Sequence, residues 1–367
     1  MQHLDRFADE LGPAKVVEIY QPSINLKAAV VVDNVTAGPS IGGVRMAADV
    51  SVEECFRLAR AMTFKNAVAG LRHGGGKAVI AADHTMPAAE KEQLVRAFAC
   101  AIRDLVDYIP GPDMGTDEVA MAWIKDEIGR SVGLPPEVGG IPLDVIGATG
   151  FGLAVAAEMA QEFCDVRIDG ARVAVQGFGS VGRHAARFLS RKGAILVAAA
   201  DSRAVLTDAE GLDIEALIAF KDSGGHFDGY PGCKALERDA IVGIDCDIWI
   251  PAARPDVIRA DNVDKVTARL IVQGANIPVT EDAEAILDQR GVLSVPDFIA
   301  NAGGVICAAV EYAGGSEISA FQMIEDKIRK NTAAVLQKAK DVGQLPRAAA
   351  VALAEERVRK AMSYRRW

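Results

Sequence analysis

Two lysines, Lys65 and Lys77, lie in the stretch Thr63-Phe64-Lys65-Asn66-Ala67-Val68-Ala69-Gly70-Leu71-Arg72-His73-Gly74-Gly75-Gly76-Lys77-Ala78-Val79-Ile80, which contains no carboxylate. A lysine in apolar surroundings has its charged form disfavoured, which is how proton-exchanging lysines are made. The three glycines before Lys77 let the backbone come close to something bound. Taken alone, the stretch reads equally as a helix end, a glycine loop and a strand, with both lysine stems lying along apolar surface. Asp113 is the third candidate, held between prolines and glycines in Ile109-Pro110-Gly111-Pro112-Asp113-Met114-Gly115-Thr116. By itself it reads as a turn or helix-capping aspartate.

A second set of residues could hold a dinucleotide. Ala171–Gln176 reads as a buried strand and Val181–Ser190 as a helix, with Gly177-Phe178-Gly179-Ser180-Val181-Gly182 between them. In that context the first glycine makes the tight turn, the second admits a pyrophosphate and the third lets helix and strand pack closely. The helix N-terminus adds amide N–H groups for the phosphates. Asp201 closes the next strand, 19 residues beyond Gly182, where a carboxylate would take the adenosine ribose hydroxyls. Asp201 favours NAD by repelling a 2′-phosphate, while Ser202-Arg203 leaves NADP open. Thr149, Ala252, Ala275, Asn276 and Asn301 stand at helix starts or strand ends, where a doubly wound sheet places its cofactor.

The elements that must position these residues follow from local pattern. Val16–Tyr20 and Leu26–Val32 read as strands, and Gly38–Met46 as a turn whose glycines, Gly42 and Gly43 among them, bring the backbone close to something. Ser51 with Glu54 forms a capping box that opens a helix from about Val52 to Ala69, carrying Met62 and Lys65. Further helices are expected over Ala88–Val106, from Asp117, and over Ala154–Phe163. Pro135–Pro142 is a Pro/Gly-rich linker, after which helices alternate with apolar strands near residues 171–176, 194–200, 247–250, 270–272 and 292–295. From Ser316 the chain reads as helix to its end, interrupted at Gly343–Pro346.

Bulk properties narrow the class. At 367 residues two domains are expected, and 50% apolar with 25% charged residues is ordinary globular composition. A formal charge of −10 argues against nucleic acid and anionic membrane as partners. Cys55, Cys100, Cys164, Cys233, Cys246 and Cys307 show no metal-like spacing and suit a reducing compartment. No metal site, signal peptide or membrane span is expected, and the reading is a cytoplasmic protein.

Together these residues resemble the glutamate/leucine/phenylalanine/valine dehydrogenase superfamily, from about Gly38 to Glu311. The ordered motifs are Gly-Gly-Val-Arg-Met, Met-Thr-Phe-Lys-Asn-Ala, Gly-Gly-Gly-Lys, Pro-Asp-Met-Gly-Thr, Gly-Phe-Gly-Ser-Val-Gly, Gly-Ala-Asn and Asn-Ala-Gly-Gly. The resemblance implies an α/β fold of two domains. One is an N-terminal mixed-sheet substrate and oligomerisation domain over 1–142, to which the C-terminal helix 325–367 returns. The other is a Rossmann-type doubly wound cofactor domain over 143–324, with the active site in the cleft between the two. It implies a homo-oligomer that deaminates an L-amino acid reversibly with NAD, NADP not being excluded, to a 2-oxo acid and ammonia. By matching position, Lys65 pairs with the substrate α-carboxylate and Lys77 activates water. Asp113 shuttles a proton at nitrogen, Gly42 and Gly43 flank the substrate, Thr149 contacts cofactor, and Asn276 lies near the nicotinamide.

The amino acid is read from the side-chain pocket. The glutamate enzymes carry a lysine immediately before the Gly-Gly pair, and here that place is Ile41, with Cys307-Ala308-Ala309 where a hydroxyl residue is otherwise found. A buried substrate carboxylate without a partner costs several kcal/mol, so Ile41, Met62 and Ala308 lead to an apolar substrate, leucine, isoleucine or valine ahead of phenylalanine, and to the leucine/valine/phenylalanine branch. Against that, Gly-Pro-Asp-Met-Gly-Thr and the segment Asp201–Leu217 look closer to glutamate-type sequences. A glutamate dehydrogenase, a metal-dependent hydroxy-acid dehydrogenase and a non-catalytic NAD-binding regulator are the alternatives.

Overall fold

The computed structural model describes residues 6–233 and 235–365. Its first sheet is mixed and has the order β1-β2-β4-β3-β5, from β1 (Lys15–Gln21), β2 (Leu26–Asn34), β3 (Ser40–Ala47), β4 (Gly74–Ala81) and β5 (Tyr108–Pro112). β1, β2 and β4 pair antiparallel, whereas β3 runs parallel to both β4 and β5. Helix α1 (Val52–Val68) crosses between β3 and β4, and Ser51 caps it by accepting the Glu54 amide at 3.1 Å. Helices α2 (Ala88–Ala101) and α3 (Glu118–Ile128) cover the opposite face of the sheet from α1, α3 being capped by Asp117. The core beneath them joins Val30, Val44, Met46 and Ile80 of the sheet to Phe98 and Met121 of the helices.

Three departures from sequence expectation lie where the site is built. Of Gly38–Met46 only Gly38 and Pro39 lie in a bend, and the chain from Ser40 is the interior strand β3, between β4 and β5. The segment holding Pro110 and Pro112 is a strand at its start, tolerated because β5 is an edge and pairs only with β3. The triple glycine likewise lies inside β4 and is buried. An added Cβ on Gly75 would sit 2.0 Å from the Thr63 nitrogen, so these glycines let α1 lie directly on the sheet.

The second sheet has seven strands in the order β12-β11-β10-β6-β7-β8-β9. Helix α4 (Ala148–Ala160) precedes β6 (Arg172–Gln176), and α5 (Ser180–Ser190) links it to β7 (Ile195–Ala200). A short antiparallel extension, β8 (Ala204–Thr207) and β9 (Ala235–Glu237), follows on either side of α6 (Ile214–Asp222). β10 (Ile248–Pro251), β11 (Leu270–Val272) and β12 (Leu293–Val295) continue the parallel half, with α7 (Glu281–Gln289) between the last two. Helices α8 (Asp297–Ala300), α9 (Gly303–Tyr312), α10 (Glu317–Val342) and α11 (Pro346–Met362) end the chain.

The residues divide into two compact units, one running to Leu143 and taking Val305–Ala320 and the chain from Val351, the other comprising Asp144–Gly304 and Phe321–Ala350. Residues 325–350 therefore belong to the second unit, and only the part of α11 from Val351 returns to the first. Among the described residues no helix is long and apolar enough to cross a membrane.

Candidate active site

In the first unit Lys77 and Asp113 form an ion pair through Asp113 Oδ2, and Arg45 Nε donates to the same oxygen at 3.2 Å. β4 supplies Lys77, β3 supplies Arg45, and Asp113 follows the last residue of β5, so three adjacent strands converge on one carboxylate. Gly43 makes that convergence possible: its Cβ would stand 2.7 Å from Asp113 Cβ and 3.2 Å from Lys77 Nζ. Arg45 is held from its other side by Glu54 of α1. Thr116 fixes the backbone, its Oγ1 accepting the Asp113 amide at 3.0 Å and donating to the Val44 carbonyl at 2.8 Å.

The electrostatics of this group oppose one another. Burial pushes the Asp113 carboxyl up, but the Lys77 ammonium and the Arg45 guanidinium outweigh it and hold it below the ordinary carboxylate range. At neutral pH Asp113 is a carboxylate whose proton affinity is set by two neighbouring cations. Sequence reasoning missed Arg45. The period of two along β3 from Gly43 to Arg45 carries the signal, but only once Gly38–Met46 is read as a strand. Tyr108 was missed as well. It is fully buried and donates to the Gly42 and Gly43 carbonyls at 2.8 and 3.2 Å, tying β3 to β5 where the glycines leave no side chains.

Lys65 and Met62 lie on α1, on either side of the Thr63 that meets Gly75. Ile41 and Ala308 come together in a buried apolar cluster with Ile109 and Val132.

In the second unit Gly177, Gly179 and Gly182 meet the three requirements of a dinucleotide turn. Gly177 has φ +90°, a left-handed conformation, and an added Cβ there would meet Ala253 at 2.8 Å. Gly179 faces open space, and Gly182 would bring its Cβ within 2.0 Å of the Gly177 carbonyl oxygen. The turn leads into α5, whose first turn has no side-chain cap, so its N–H groups are left for phosphate oxygens. Ser180 Oγ donates to the Asp144 carbonyl at 3.0 Å, and Phe178 is buried against Phe227 rather than facing outward. Val181 follows in the first turn of α5.

The other expected cofactor residues gather beside that turn. Ala252 donates its amide to the Gln176 carbonyl at 2.8 Å, and Ala275 donates to Pro251 at 2.8 Å. Asn301 Nδ2 donates to the Gly274 carbonyl at 3.2 Å and to Asn276 Oδ1 at 3.3 Å. Thr149 sits in the first turn of α4, its Cα 3.1 Å from where a Cβ on Gly303 would stand. Next to Asn276, Ile277 holds φ +49°, a left-handed conformation that a β-branched residue adopts at a cost of about 1–3 kcal/mol.

Asp201 directly follows the last residue of β7. Its Oδ1 accepts the Arg203 and Ala204 amides at 2.8 and 3.1 Å, and its Oδ2 accepts Lys221 Nζ at 2.7 Å and the Phe227 amide at 2.9 Å. Burial raises its pKa, yet these donors prevail and bring it to about 2. Its oxygens thus anchor the turn between β7 and β8, and the exposed Ser202 and Arg203 stand beyond it.

Residues 139–366 match the family model described as Glutamate/Leucine/Phenylalanine/Valine dehydrogenase, and residues 17–130 match its companion, the Glu/Leu/Phe/Val dehydrogenase dimerisation domain. The chain belongs to this dehydrogenase family. Within it, the chain is 38% identical over 357 residues to a glutamate dehydrogenase of Aeropyrum pernix, covering 91% of this chain and 85% of that one. It is 40% identical over 294 residues to glutamate dehydrogenase A2 of Halobacterium salinarum, covering 76% and 70%. The hetero-hexameric glutamate dehydrogenase of Thermus thermophilus superposes with a TM-score of 0.85 at 30% identity, covering 95% of this chain and 89% of that one. These relatives overturn the expectation of a leucine-, valine- or phenylalanine-type enzyme. Ile41 and its apolar neighbours misled because a few pocket positions were made to carry substrate choice against the likeness of Gly-Pro-Asp-Met-Gly-Thr and Asp201–Leu217 to glutamate-type sequences.

Proposed function

We propose that this protein catalyses the reversible NAD(P)-dependent oxidative deamination of L-glutamate to 2-oxoglutarate and ammonia. The observation that carries the reading is the Lys77–Asp113–Arg45 cluster, in a chain whose curated relatives are glutamate dehydrogenases at 36–40% identity. The first unit is then the substrate and oligomerisation domain and the second the cofactor domain. Assembly as a homo-oligomer accords with the dimerisation model matched by residues 17–130.

When bound, the nicotinamide supplies the acceptor for the hydride that leaves Cα. Gly177, Gly179 and Gly182 with the first turn of α5 hold the pyrophosphate, and Thr149, Ala252, Ala275, Asn276 and Asn301 border the same edge. Lys65 binds the substrate α-carboxylate. Asp113, charged at neutral pH, takes a proton from the substrate nitrogen and returns it to departing ammonia. Lys77 assists water in attacking the iminium carbon and stabilises the negative charge that develops on oxygen. The ion pair with Asp113 holds the Lys77 ammonium beside the carboxylate. The Ile41, Ile109, Val132 and Ala308 cluster offers contact to substrate methylenes and no charge.

The test is a panel of initial rates with L-glutamate, L-leucine, L-valine and L-phenylalanine, each with NAD and NADP, and the reverse reaction with ammonia. Glutamate should give the highest kcat/KM. A clear lead for an apolar amino acid would overturn the substrate, and turnover independent of ammonia in reverse would overturn the reaction.

A further inference from the structure

A buried charged network in the second unit has no part in the chemistry above. Arg347, the second residue of α11, donates from Nε to both Glu284 carboxylate oxygens at 2.9 Å. Its Nη1 donates to Asp297 Oδ1 at 2.8 Å and its Nη2 to Gln273 Oε1 at 2.8 Å. Gln273 in turn donates to Glu284 Oε1 at 2.8 Å and to Ser294 Oγ at 3.0 Å. Two carboxylates and one guanidinium removed from water are weak evidence for stability, because apolar residues of the same volume often serve as well.

What distinguishes the network is where its far end goes. The second oxygen of Asp297, Oδ2, accepts the amide of Ile277 at 3.0 Å. Ile277 is the residue in the left-handed conformation, its side chain is half exposed, and its carbonyl accepts the Asp256 amide at 3.0 Å. Backbone hydrogen bonds rather than side-chain packing therefore hold an unfavourable φ. The residue before it is Asn276, which Asn301 contacts.

We propose that Arg347 is a positioning residue for the cofactor loop: by fixing Asp297 it holds Ile277 in its left-handed conformation and thereby sets Asn276. The proposal rests on the reading of Asn276 as a nicotinamide-side residue. It also gives α11 a function at its first turn, four residues before the chain passes to the first unit at Val351.

The test compares Arg347→Met, Asp297→Asn, Glu284→Gln and the double variant Arg347→Met/Ile277→Gly in the full chain. The dissociation constant of NAD(P)H is read by nicotinamide fluorescence, alongside thermal midpoint, kcat and KM for the amino acid. R347M and D297N should each weaken NAD(P)H binding by about fivefold or more and lower kcat, with the amino-acid KM moving less than about twofold. E284Q touches the guanidinium but not the loop, and should lower the midpoint while leaving NAD(P)H binding unchanged. Glycine adopts the left-handed region without help, so adding I277G should return binding to within about twofold of wild type while the midpoint stays low. If R347M proves too unstable to purify, D297N with and without I277G gives the same comparison. Equal NAD(P)H affinity in wild type, R347M and D297N would overturn the positioning role alone, as would failure of I277G to restore binding. A wild type that binds neither NADH nor NADPH would overturn the functional reading and this inference with it.

Discussion

At the scale of single residues, Asp113 decides how the site responds to pH. Burial alone would raise its carboxyl, and it lies below the ordinary range because Lys77 and Arg45 press on the same oxygen, helped by the Met114 amide. Removing Arg45 leaves the burial cost and deletes one of the two compensating cations. The acid limb of the kcat/KM profile for oxidative deamination should therefore move to higher pH in Arg45→Met, because Asp113 must be unprotonated to accept a proton. Lys77→Met removes both the more strongly interacting of the two cations and the group proposed to work on water, so kcat should fall by about 10²–10⁴-fold, the usual contribution of a positioned acid–base group. Arg45→Met should retain much more activity at its shifted optimum. A profile in R45M that superposes on wild type would show that the Arg45 contact does not tune Asp113.

At the scale of elements, glycine is used in two opposite ways, and variants separate them. Gly75 is filled from outside by α1, so Gly75→Ala must push the helix off β4 at Thr63 and should cost about 1–3 kcal/mol of stability, as overpacking does. Gly179 meets nothing within 4 Å, so Gly179→Ala should leave the thermal midpoint unchanged while weakening NAD(P)H binding, because the methyl stands where a pyrophosphate would approach. Thermal melts and fluorescence titrations on the two proteins check both halves. The same contrast explains how much could be read beforehand. The N-cap at Ser51 and the turn after β6 were legible because each is written in a few adjacent residues, although Glu54 pairs with Arg45 rather than closing a capping box. β3 and β5 were not, since Gly42, Gly43, Pro110 and Pro112 are turn formers by local propensity. Only their placement side by side in one sheet makes them strand. Arg45 was lost with β3. The partners of Asp201 were hidden for a related reason: Lys221 and Phe227 lie 20 or more residues away, beyond the reach of a local motif.

At the scale of the whole molecule, the chain order mixes the two units, because the last helices belong partly to each. α11 starts in the second unit with Arg347 anchored to Glu284 and Asp297, then continues in the first, where Arg357 donates to the Ala67 and Val68 carbonyls that end α1. That crossing could not be read from helical periodicity, which is the same on both sides of Val351. Each ligand should consequently leave a footprint confined to its own unit when added alone, and hydrogen–deuterium exchange followed by peptide mass spectrometry reads this directly. NAD(P)H at about 100 times its dissociation constant stabilises the state it binds by about 2.7 kcal/mol. Slower exchange is expected in peptides covering residues 147–152, 176–182, 252–253 and 274–277. Because Arg347 holds Asp297 and Asp297 holds Ile277, protection should extend to 297–301 and to the first turn of α11, and should fade beyond Val351. L-Glutamate alone should protect peptides around 41–46, 62–65, 77 and 113 in the first unit. Uniform protection along the whole of α11 by the dinucleotide would show that the helix responds as one body and that the boundary at Val351 has no energetic meaning.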